Sequence, residues 1–498
     1  MVASILKRDA SQYTHTIDGR AETGAIFFDV INPATGAAFD SAPSASPEQL
    51  DEAVSAAQRA YSLWRRLSFA ERSALIGEFS EAIESHADAI ADVLTREQGK
   101  PLSEAKGEVM GAVHELKVLC QFEPHPELIR ADDDSKVELH YRPLGVVGAI
   151  TPWNYPILMA GSKIAHALYA GDTVVLKPSP YTPLSTLLVG EVARETLPPG
   201  VVNVLAGGDE LGRWMTEHQG IAGIAFTGSV ATGKRVFAST AETLKRITLE
   251  LGGNDPAVLL DDADLEAAAL GIFESAMNNA GQACIAVKRV YAPESLYEPL
   301  IEALVKLARV HRVGDGFEQD VQMGPIQNRM QFDKVLGLIK DTRQYRGARI
   351  FEGGQTLGGS GYFVAPTIVA APEDDMRLVA EEQFGPVLPV LKYRNIDDAV
   401  RRANNTRYGL GASIWTKDSE RGAKVATQIE AGTVWINDHT RYEAEIPFGG
   451  FKESGFGREN GRLGLLSYME PQVIYHRVGW GDRKQALNTD SKTSKANR

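Results

Sequence analysis

Residues 146–177 read VVGAITPWNYPILMAGSKIAHALYAGDTVVLK, and this stretch decides the fold. It opens with a short apolar run, Val146–Ile150, and closes with another, Thr173–Lys177. A helical segment, Met159–Tyr169, lies between them. Strands that alternate with helices are typical of a parallel sheet covered on both faces, because parallel strands need a long crossover connection. The stretch therefore predicts an α/β fold.

The same alternation continues toward the C-terminus. Two further apolar runs, Val201–Leu205 and Gly223–Phe226, follow helical segments at Pro183–Glu195 and Glu210–His218. Ligands of such sheets bind beyond the carboxyl ends of the strands. We therefore expect a nucleotide-binding domain in this part of the chain.

A second region with the same alternation begins after Pro256. Its short apolar runs predict strands at Ala257–Leu260, Val287–Tyr291, Thr367–Val369, Val387–Tyr393, Gly411–Trp415 and Thr433–Ile436. Its helical periodicity predicts helices at residues 263–278, 294–311, 327–345, 396–404 and 417–430.

The pattern before residue 143 is mainly helical. Phe27–Asn32 and the turn at residues 33–36 predict a strand that enters a hairpin. The other segments with a clear period are helices within 47–98 and 102–122, and strands at 137–142 and 473–476.

Composition excludes several classes of protein. The chain has 498 residues, of which 43% are hydrophobic and 23% charged, as in an ordinary globular enzyme. A net charge of −13 argues against general binding of nucleic acids or anionic membranes. The two cysteines form no disulfide framework and indicate a reducing compartment, so we expect a cytoplasmic protein. No signal peptide, membrane helix, metal-ligand spacing or Gly-x-Ser-x-Gly motif is recognisable.

One of the two cysteines lies in residues 278–291, NNAGQACIAVKRVY. Cys284 follows Gly281 in a small-residue segment between a predicted helix, Leu265–Met277, and a predicted strand. A sulfur at such a junction is accessible to a substrate, although a lone cysteine is also compatible with a buried small hydrophobe. Cys120 falls in the apolar stripe of a helix, and we assign it to the core.

Four further segments carry polar groups at strand ends. Asn154 stands between two prolines, where a rigid amide could donate to a developing oxyanion or close its own turn. Glu250 lies among leucines and glycines; burial would raise its pKa and suit a general base, whereas an exposed strand end would not. Lys177 ends a strand at the edge where a nucleotide would bind, or is a solvated lysine. The turn at residues 226–234 opens a helix that could hold a phosphate, or is a plain tight turn.

Seven segments, in order, resemble the NAD(P)-dependent aldehyde dehydrogenase superfamily. They are Thr151–Pro156 (TPWNYP), Val174–Ser179 (VVLKPS), Phe226–Ser229 (FTGS), Glu250–Gly253 (ELGG), Gly281–Cys284 (GQAC), Glu381–Pro386 (EEQFGP) and Pro447–Gly455 (PFGGFKESG). The match runs from about Ile31 to Ile474 and keeps the family's spacing. One such segment is a weak signal, but seven in order are specific.

The resemblance implies an aldehyde dehydrogenase-like α/β fold in three parts. These are a Rossmann-type cofactor domain (residues 1–123 and 144–252), an α/β catalytic domain (253–453) and a small β oligomerisation arm (124–143 and 466–480), followed by a flexible tail (481–498). Family members are homodimers or homotetramers in which the partner covers the exposed arm strand, so we expect a homo-oligomer.

The resemblance also implies a mechanism. Cys284 would attack the aldehyde as a thiolate and form a thiohemiacetal, then a thioester after hydride transfer. Asn154 and the Cys284 N–H would stabilise the oxyanion. Glu250 would activate the water that releases the carboxylate, whereas CoA-acylating relatives characteristically lack this acid. Glu459 would relay protons, and Lys177 belongs to both the catalytic and the cofactor residues.

The implied cofactor is NAD. Lys177 and Glu382 would bind ribose hydroxyls, Ser229 the pyrophosphate, and Phe384 would pack near the nicotinamide. NAD-preferring members often carry a glutamate three residues after the matched lysine, where this chain has Pro180, so NADP is expected to be tolerated. The full expected set is Ile150, Thr151, Pro152, Trp153, Lys177, Ser179, Gly228, Ser229, Glu250, Leu251, Gly252, Glu382 and Phe384.

The implied substrate is a small-molecule aldehyde. Arg441 adds a cation to the substrate loop and could anchor the distal carboxylate of a semialdehyde acid, although Glu443 and Glu445 beside it would neutralise it. Aromatic tunnel walls favour an aromatic or medium-chain aldehyde instead. A noncatalytic structural or binding descendant of the fold is the remaining alternative, but it would be expected to lose Cys284, Glu250 or Asn154. The residues that match tunnel positions are Tyr155, Leu158, Ile285, Tyr442 and Phe448.

Overall fold

The computed structural model describes residues 13–371 and 373–478. The tail expected at 481–498, and the last two residues of the expected oligomerisation arm, lie outside these residues. Four β-sheets organise the described chain: one of eight strands, one of seven, one of three and a two-stranded hairpin. The predicted α/β class is confirmed.

The helices of the described part are α1 (Pro47–Trp64), α2 (Phe69–Ser85), α3 (Ala87–Gln98), α4 (Leu102–Val118), α5 (Pro156–Ala170), α6 (Leu184–Thr196), α7 (Asp209–Glu217), α8 (Val230–Ser239), α9 (Leu265–Met277), α10 (Glu294–Val310), α11 (Arg329–Gln344), α12 (Arg377–Ala380), α13 (Ile396–Asn404), α14 (Ser419–Ala426) and α15 (Gly461–Leu466). The strands are β1 (His15–Ile17), β2 (Arg20–Glu22), β3 (Ile26–Asn32), β4 (Ala37–Ser44), β5 (Glu127–Ala131), β6 (Ser135–Pro143), β7 (Val146–Ile150), β8 (Thr173–Lys177), β9 (Val202–Val204), β10 (Gly223–Thr227), β11 (Arg246–Glu250), β12 (Asp255–Leu259), β13 (Val287–Pro293), β14 (Arg349–Glu352), β15 (Thr367–Ala370), β16 (Val387–Tyr393), β17 (Gly411–Trp415), β18 (Thr433–Ile436), β19 (Gly455–Phe456) and β20 (Met469–Arg477).

The eight-stranded sheet has the order β19-β11-β10-β7-β8-β9-β1-β2. Strands β7 to β11 are mutually parallel. The chain winds from β7 to β9 on one side and then crosses to β10 and β11 on the other. The carboxyl ends of β7 and β10 therefore flank the point at which open α/β sheets bind their ligands.

The seven-stranded sheet has the order β14-β15-β16-β13-β12-β17-β18 and is parallel apart from its edge strand β14. Candidate site segments meet it at its amino edge, because Gly253 precedes β12, Cys284 precedes β13 and Phe384 precedes β16. In the first sheet, by contrast, β11 ends at Glu250 on the carboxyl edge. The carboxyl edge of one sheet thus faces the amino edge of the other across the candidate site.

The three-stranded sheet joins distant parts of the chain. β20 pairs antiparallel with β6 along its whole length, and β5 pairs with the other side of β6. The strands predicted at 137–142 and 473–476 are present and longer than predicted. Leu128, Ile129 and Tyr475 on this sheet are 60%, 59% and 61% exposed. An exposed apolar sheet of this kind is a surface suited to pairing with another chain.

Helix α5 is buried on almost every side, in agreement with its apolar sequence. Gly161 lets it approach α4 closely, since a Cβ there would come 2.7 Å from the Ala112 Cβ. Lys163 is the exception in this helix, a charged residue without measurable exposure. A buried lysine requires a partner, and that partner lies in the candidate site.

The short strands β1, β2 and β19 were not predicted. Strands of two or three residues carry no readable alternation, and their position depends on distant pairing partners. β19 pairs antiparallel with β11, so the chain returns to the first sheet at Gly455.

Candidate active site

The loop that carries Cys284 follows a constrained backbone path. Asn279 and Ala280 both adopt positive φ angles, 48° and 57°. Gly281 follows at φ 70°, and a Cβ there would come 2.4 Å from the Gly385 carbonyl oxygen. Only glycine fits this approach. The turn therefore brings Gly281, at the start of the cysteine loop, against the segment that precedes β16.

The Cys284 thiol is partly exposed and electrostatically disfavoured as a thiolate. Burial of the site raises its pKa to about 12, and the positive charge of Lys288 opposes this rise. The thiolate therefore forms only where a base or a positive charge assists it. The carboxyl groups that add to the rise are those of Asp255, Glu382 and Glu250.

The side chain of Asn154 reaches the cysteine loop. Its Nδ2 donates a hydrogen bond of 2.9 Å to the carbonyl oxygen of Gln282, two residues before Cys284. The Asn154 carbonyl oxygen accepts hydrogen bonds from Asn279 Nδ2 at 3.0 Å and from Lys100 Nζ at 2.9 Å. The Asn154 loop and the cysteine loop thus each donate a hydrogen bond to the other, and the Asn154 amide lies against the loop of the candidate nucleophile.

Lys100 and Glu108 form a buried ion pair behind Asn154, with side chains 0% and 1% exposed. Glu108 Oε1 accepts the N–H groups of Ile157 at 2.8 Å and of Leu158 at 3.2 Å, at the start of α5. The carboxylate therefore satisfies two N–H groups that the helix start leaves free and stabilises the positive end of its dipole. A fully bonded buried network is rigid, so the Asn154 loop is held in place.

Glu250 is buried at the end of β11. Burial, and then the negative charge of Glu459, raise the pKa of its carboxyl group well above the usual value. Neither of its oxygens accepts a hydrogen bond from any other group of the described chain. Gly449 makes room for it, because a Cβ there would lie 2.7 Å from Glu250 Oε1. Such a carboxyl group is a stronger base in its ionised form than an exposed one.

Lys163 and Glu459 form a second buried ion pair, with side chains 0% and 2% exposed. The charge of Lys163 lowers the pKa of Glu250, in opposition to that of Glu459. Sequence reasoning identified Glu459 and missed Lys163, because an isolated lysine in a helix is usually a surface residue. The usable signal was the helix itself, which is apolar all round and leaves a lysine no solvent-facing side.

Lys177 ends β8 and pairs in register with Ile150 at the end of β7. Its side chain is buried, and burial lowers its pKa to about 8 against the opposing charge of Asp209. Nζ donates to the Pro178 carbonyl oxygen at 3.1 Å. An ammonium group has three donors, so Lys177 can also bind hydroxyl oxygens of a ligand.

The Glu382 carboxylate lies close to the backbone of Gly252 and Gly253. It accepts the Gly253 N–H at 2.9 Å, and a Cβ at Gly252 would lie 2.3 Å from Glu382 Oε2. Phe384 meets the Trp153 ring edge-on, with ring centroids 5.3 Å apart. The loops that follow β7 and β11 of the first sheet therefore contact the segment that precedes β16 of the second.

Ser229 is the N-cap of α8, and its hydroxyl accepts the Thr232 N–H at 3.2 Å. Because α8 directly follows β10, its N-terminus lies at the carboxyl edge of the first sheet, where phosphate binding is favourable. The remaining expected cofactor residues follow or end strands at the same edge: Ile150, Thr151, Pro152, Ser179, Gly228 and Leu251.

Three of the six expected substrate residues, Ile285, Tyr442 and Phe448, lie in one apolar cluster with Cys284. Tyr442 and Phe448 meet edge-to-face with ring centroids 5.2 Å apart. Tyr155, at the start of α5, donates its hydroxyl hydrogen to Asn278 Oδ1, and Leu158 lies one turn further along the helix. One apolar cluster contains Ile285, Leu410 and Phe448, with Cys284, Trp435 and Tyr442 packed against it.

Arg441 lies at the surface of the same loop. Its side chain is 69% exposed, with Nε 3.4 Å from Glu443 and 3.8 Å from Asp438. Its charge is therefore shared with two neighbouring carboxylates in contact with solvent.

A metal site and a membrane-spanning helix are the two other possibilities for residues 13–371 and 373–478. No group of three or more His, Cys, Asp and Glu side chains forms a candidate metal site there. Within the same ranges, none of the helices combines the length and apolarity needed to cross a membrane.

Known proteins resemble this chain in sequence and in fold. The sequence model described as "Aldehyde dehydrogenase family" matches residues 20–474. The chain belongs to the aldehyde dehydrogenase family, and the resemblance carried by the seven segments is confirmed.

Individual relatives match along nearly the whole chain. A probable aldehyde dehydrogenase from Pseudomonas sp is 40% identical over 476 residues, covering 94% of this chain and 96% of the relative. Retinal dehydrogenase 2 from Homo sapiens is 38% identical over 467 residues, covering 92% and 90%. The NAD+ complex of a Bacillus cereus aldehyde dehydrogenase superposes with a TM-score of 0.92 at 37% identity, covering 94% of this chain and 97% of that one. The betaine aldehyde dehydrogenase from Staphylococcus aureus in complex with NAD+ gives 0.91 at 32% identity, covering 96% and 97%.

Proposed function

We propose that this protein oxidises an aldehyde to the carboxylate with NAD, through a covalent intermediate on Cys284. One observation carries the proposal. Asn154 donates a hydrogen bond to the loop that carries the partly exposed Cys284 thiol, and the buried Glu250 carboxyl group helps to raise the pKa of the same thiol. Lys177 and Glu382 lie on the adjoining sheet edges.

The first step is addition of the Cys284 thiolate to the aldehyde carbon, which moves the carbonyl π electrons onto oxygen. Asn154 Nδ2 and the Cys284 N–H donate to this oxyanion. In comparable sites each such donor contributes roughly 3–4 kcal/mol. Lys100 and Glu108 hold the Asn154 loop, so the amide needs only to exchange the Gln282 carbonyl oxygen for the substrate oxygen.

The carboxyl edge of the first sheet fits a dinucleotide. Lys177 has ammonium donors for ribose hydroxyls, Glu382 offers an acceptor, and the N-terminus of α8 after Ser229 suits phosphate. Bound there, NAD would supply the hydride acceptor for the substrate carbon. Pro180 puts no carboxylate three residues beyond Lys177, which supports tolerance of NADP beside NAD.

The last step is hydrolysis of the thioester on Cys284. Glu250 takes a proton from water as the water oxygen adds to the thioester carbon. The thiolate then leaves and the carboxylate is released. The raised pKa of Glu250 supports this role, because a carboxylate with a higher pKa is the stronger proton acceptor. Lys163 and Glu459 would carry the proton onward.

The test of the proposal is NADH absorbance with a panel of aromatic, aliphatic and semialdehyde substrates, using NAD and NADP separately. We expect turnover with NAD on at least one aldehyde, and slower turnover with NADP. If folded protein reduced neither cofactor with any aldehyde, the noncatalytic alternative would replace the proposal.

We infer that the substrate is an aromatic or medium-chain aldehyde. The apolar cluster against which Cys284 packs, with Tyr442 and Phe448 in edge-to-face contact, supports an apolar substrate. A semialdehyde acid is the alternative, with Arg441 as its anchor. The exposure and the two acidic neighbours of Arg441 make this alternative the less favoured one.

Substitution of Arg441 distinguishes the two substrate classes. We expect Arg441→Ala to leave the ratio of kcat/KM values on semialdehyde acids and neutral aldehydes within about fivefold of wild type, since exposed ion pairs contribute roughly 0–1 kcal/mol. The NADH assay with both substrate types measures this ratio. A selective loss of semialdehyde activity beyond that range would restore the carboxylate anchor.

Substitutions in the second buried ion pair should move the pH dependence of turnover in opposite directions. Lys163 stabilises the Glu250 carboxylate, so Lys163→Met should raise the pKa of Glu250 and shift the rise of kcat to higher pH. Glu459→Gln removes a negative charge and should shift it to lower pH. On the rising limb, below the pKa, each unit of displacement corresponds to about tenfold in kcat. Profiles of kcat against pH at saturating substrate measure the effect; shifts of both variants in one direction would contradict it.

We also propose the assembly and location of the protein. The exposed apolar residues Leu128, Ile129 and Tyr475 support a role for the β5–β6–β20 sheet as the oligomerisation arm of a homodimer or homotetramer. The proposed domains stay as expected from the family, with Gly455–Phe456 as an added strand of the cofactor part. Both cysteines are free thiols, which supports a reducing compartment such as the cytoplasm.

A further inference from the structure

The turn at residues 283–286, which contains the nucleophile, has a hydrogen-bond donor at every carbonyl group. Lys288 Nζ donates to the carbonyl oxygens of residues 283, 284 and 286 at 2.9, 2.6 and 3.3 Å. His439 Nε2 bonds the remaining one, that of residue 285, at 2.8 Å. Both side chains are buried. One ammonium and one imidazole therefore close one side of the cysteine loop.

This arrangement fixes the direction of the Cys284 N–H. The C=O and N–H groups of a trans peptide point in opposite directions, and the described chain has no cis peptide. Because the Ala283 carbonyl group points at Lys288, the N–H of Cys284 points away from it. No acceptor for this N–H is found among residues 13–371 and 373–478. The donor is therefore available to an oxygen atom on the opposite side of the loop.

Among the charged groups around the Cys284 thiol, Lys288 is the cation that favours the thiolate. Burial lowers the pKa of His439 to about 3, so the imidazole is neutral. Burial raises the pKa of the Asp255 carboxyl group to about 7, which weakens its negative charge at neutral pH. Glu382 lies with Oε1 4.0 Å from Lys288 Nζ, and Glu250 is the third acid near the thiol. Lys288 opposes all three.

We propose that Lys288 is a positioning residue for the reaction. Its hydrogen bonds to the carbonyl groups of the cysteine loop orient the Cys284 N–H toward the substrate oxygen, and its positive charge stabilises the Cys284 thiolate. The first half of this proposal rests on the proposed function. The second half concerns the reactivity of the thiol alone and needs neither cofactor nor aldehyde.

The test compares Lys288→Met, which has neither donor nor charge, with Lys288→Gln, which keeps amide donors but no charge. One readout is the rate of Cys284 alkylation by iodoacetamide as a function of pH. The other is kcat and KM for aldehyde oxidation. We expect Lys288→Met to lower kcat by about 10²-fold, as loss of an oxyanion donor does, with KM changed by less than about threefold. The alkylation midpoint should move to higher pH in both variants, and Lys288→Gln should recover part of kcat.

A matched control is available immediately before β11 of the first sheet. Lys245 is also a buried lysine whose Nζ donates to a main-chain carbonyl group, that of His218, at 2.9 Å. Lys245→Met should keep the alkylation midpoint and kcat of the wild type. Protein carrying Cys284→Ala measures the background from Cys120.

The outcomes separate clearly. Unchanged kcat and an unchanged alkylation midpoint in Lys288→Met, or equal changes in Lys245→Met, would overturn the proposal. If Lys288→Met does not fold, an unchanged midpoint in Lys288→Gln overturns it instead. If the wild type oxidises no aldehyde, the proposed function fails while the alkylation profiles still decide the role of Lys288.

Discussion

Replacement of Cys284 by alanine should lower the kcat of aldehyde oxidation by more than about 10⁴-fold, because the covalent route loses its nucleophile and no other group near the site replaces it. The aldehyde would still meet the Asn154 amide, but no tetrahedral adduct could form from which a hydride leaves. NADH absorbance measures the loss. Mass spectrometry after incubation with substrate should show no acyl adduct in the variant.

Cys120 provides the matched control for this experiment. It lies in the short turn that follows α4, its Sγ donates to the Leu116 carbonyl oxygen of that helix at 3.4 Å, and burial raises its pKa. Cys120→Ala should keep full activity and lose only about 1–2 kcal/mol of stability from reduced packing. Oxidation that persists in Cys284→Ala, or disappears in Cys120→Ala, would remove the nucleophile from residue 284.

Replacement of Glu250 by glutamine should separate the two halves of the reaction. The thioester should still form, so the first turnover releases NADH as a burst close to one equivalent per active site. Hydrolysis then lacks its base, and the steady-state kcat should fall by about 10²–10⁴-fold. Stopped-flow absorbance resolves the burst, and mass spectrometry should detect acylated Cys284.

The dependence of kcat on pH tests the role of Glu250 independently. Because burial raises the pKa of Glu250, its carboxylate is available only above that pKa, and wild-type kcat should rise with pH. The rise should be absent in Glu250→Gln. A variant that loses the burst together with turnover would show that Glu250 acts on the Cys284 thiol rather than on water.

Most of the fold could be predicted from local patterns. The apolar runs at Val146–Ile150 and Thr173–Lys177 each become buried parallel strands with the bounds read from the sequence. Short apolar segments bounded by glycine and proline are reliable signals of such strands. β19 could not be found in this way, because its two residues are a strand only through their pairing with β11.

The candidate site also divides into residues visible in the local sequence and residues that depend on the tertiary structure. Cys284 and Asn154 stand at strand junctions with turn residues on both sides, and those positions are visible in the sequence. Lys100, Lys163 and Lys288 were missed. A lysine is usually solvated, and its burial depends on a partner distant in the chain or on carbonyl groups whose direction only the folded backbone defines. Sequence patterns point to the residues proposed to react, whereas the charges around them are a property of the tertiary structure.

The hydrogen bonds that link Asn154 to the loop of Cys284 also connect the two large sheets. Related buried bonds run beside them, from Gln98 Nε2 to Asn279 Oδ1 at 3.0 Å and from Gln327 Nε2 to the Glu97 carbonyl oxygen at 3.0 Å. Unlike apolar packing, such bonds tolerate little sliding, and a partly broken buried network is costly. Docking of the two halves should therefore be all-or-none, and slow amide exchange in the cysteine loop should be lost together with catalysis. The proposed catalytic centre would then also join the two halves, so a chain whose halves dock incorrectly would lose activity before it unfolds.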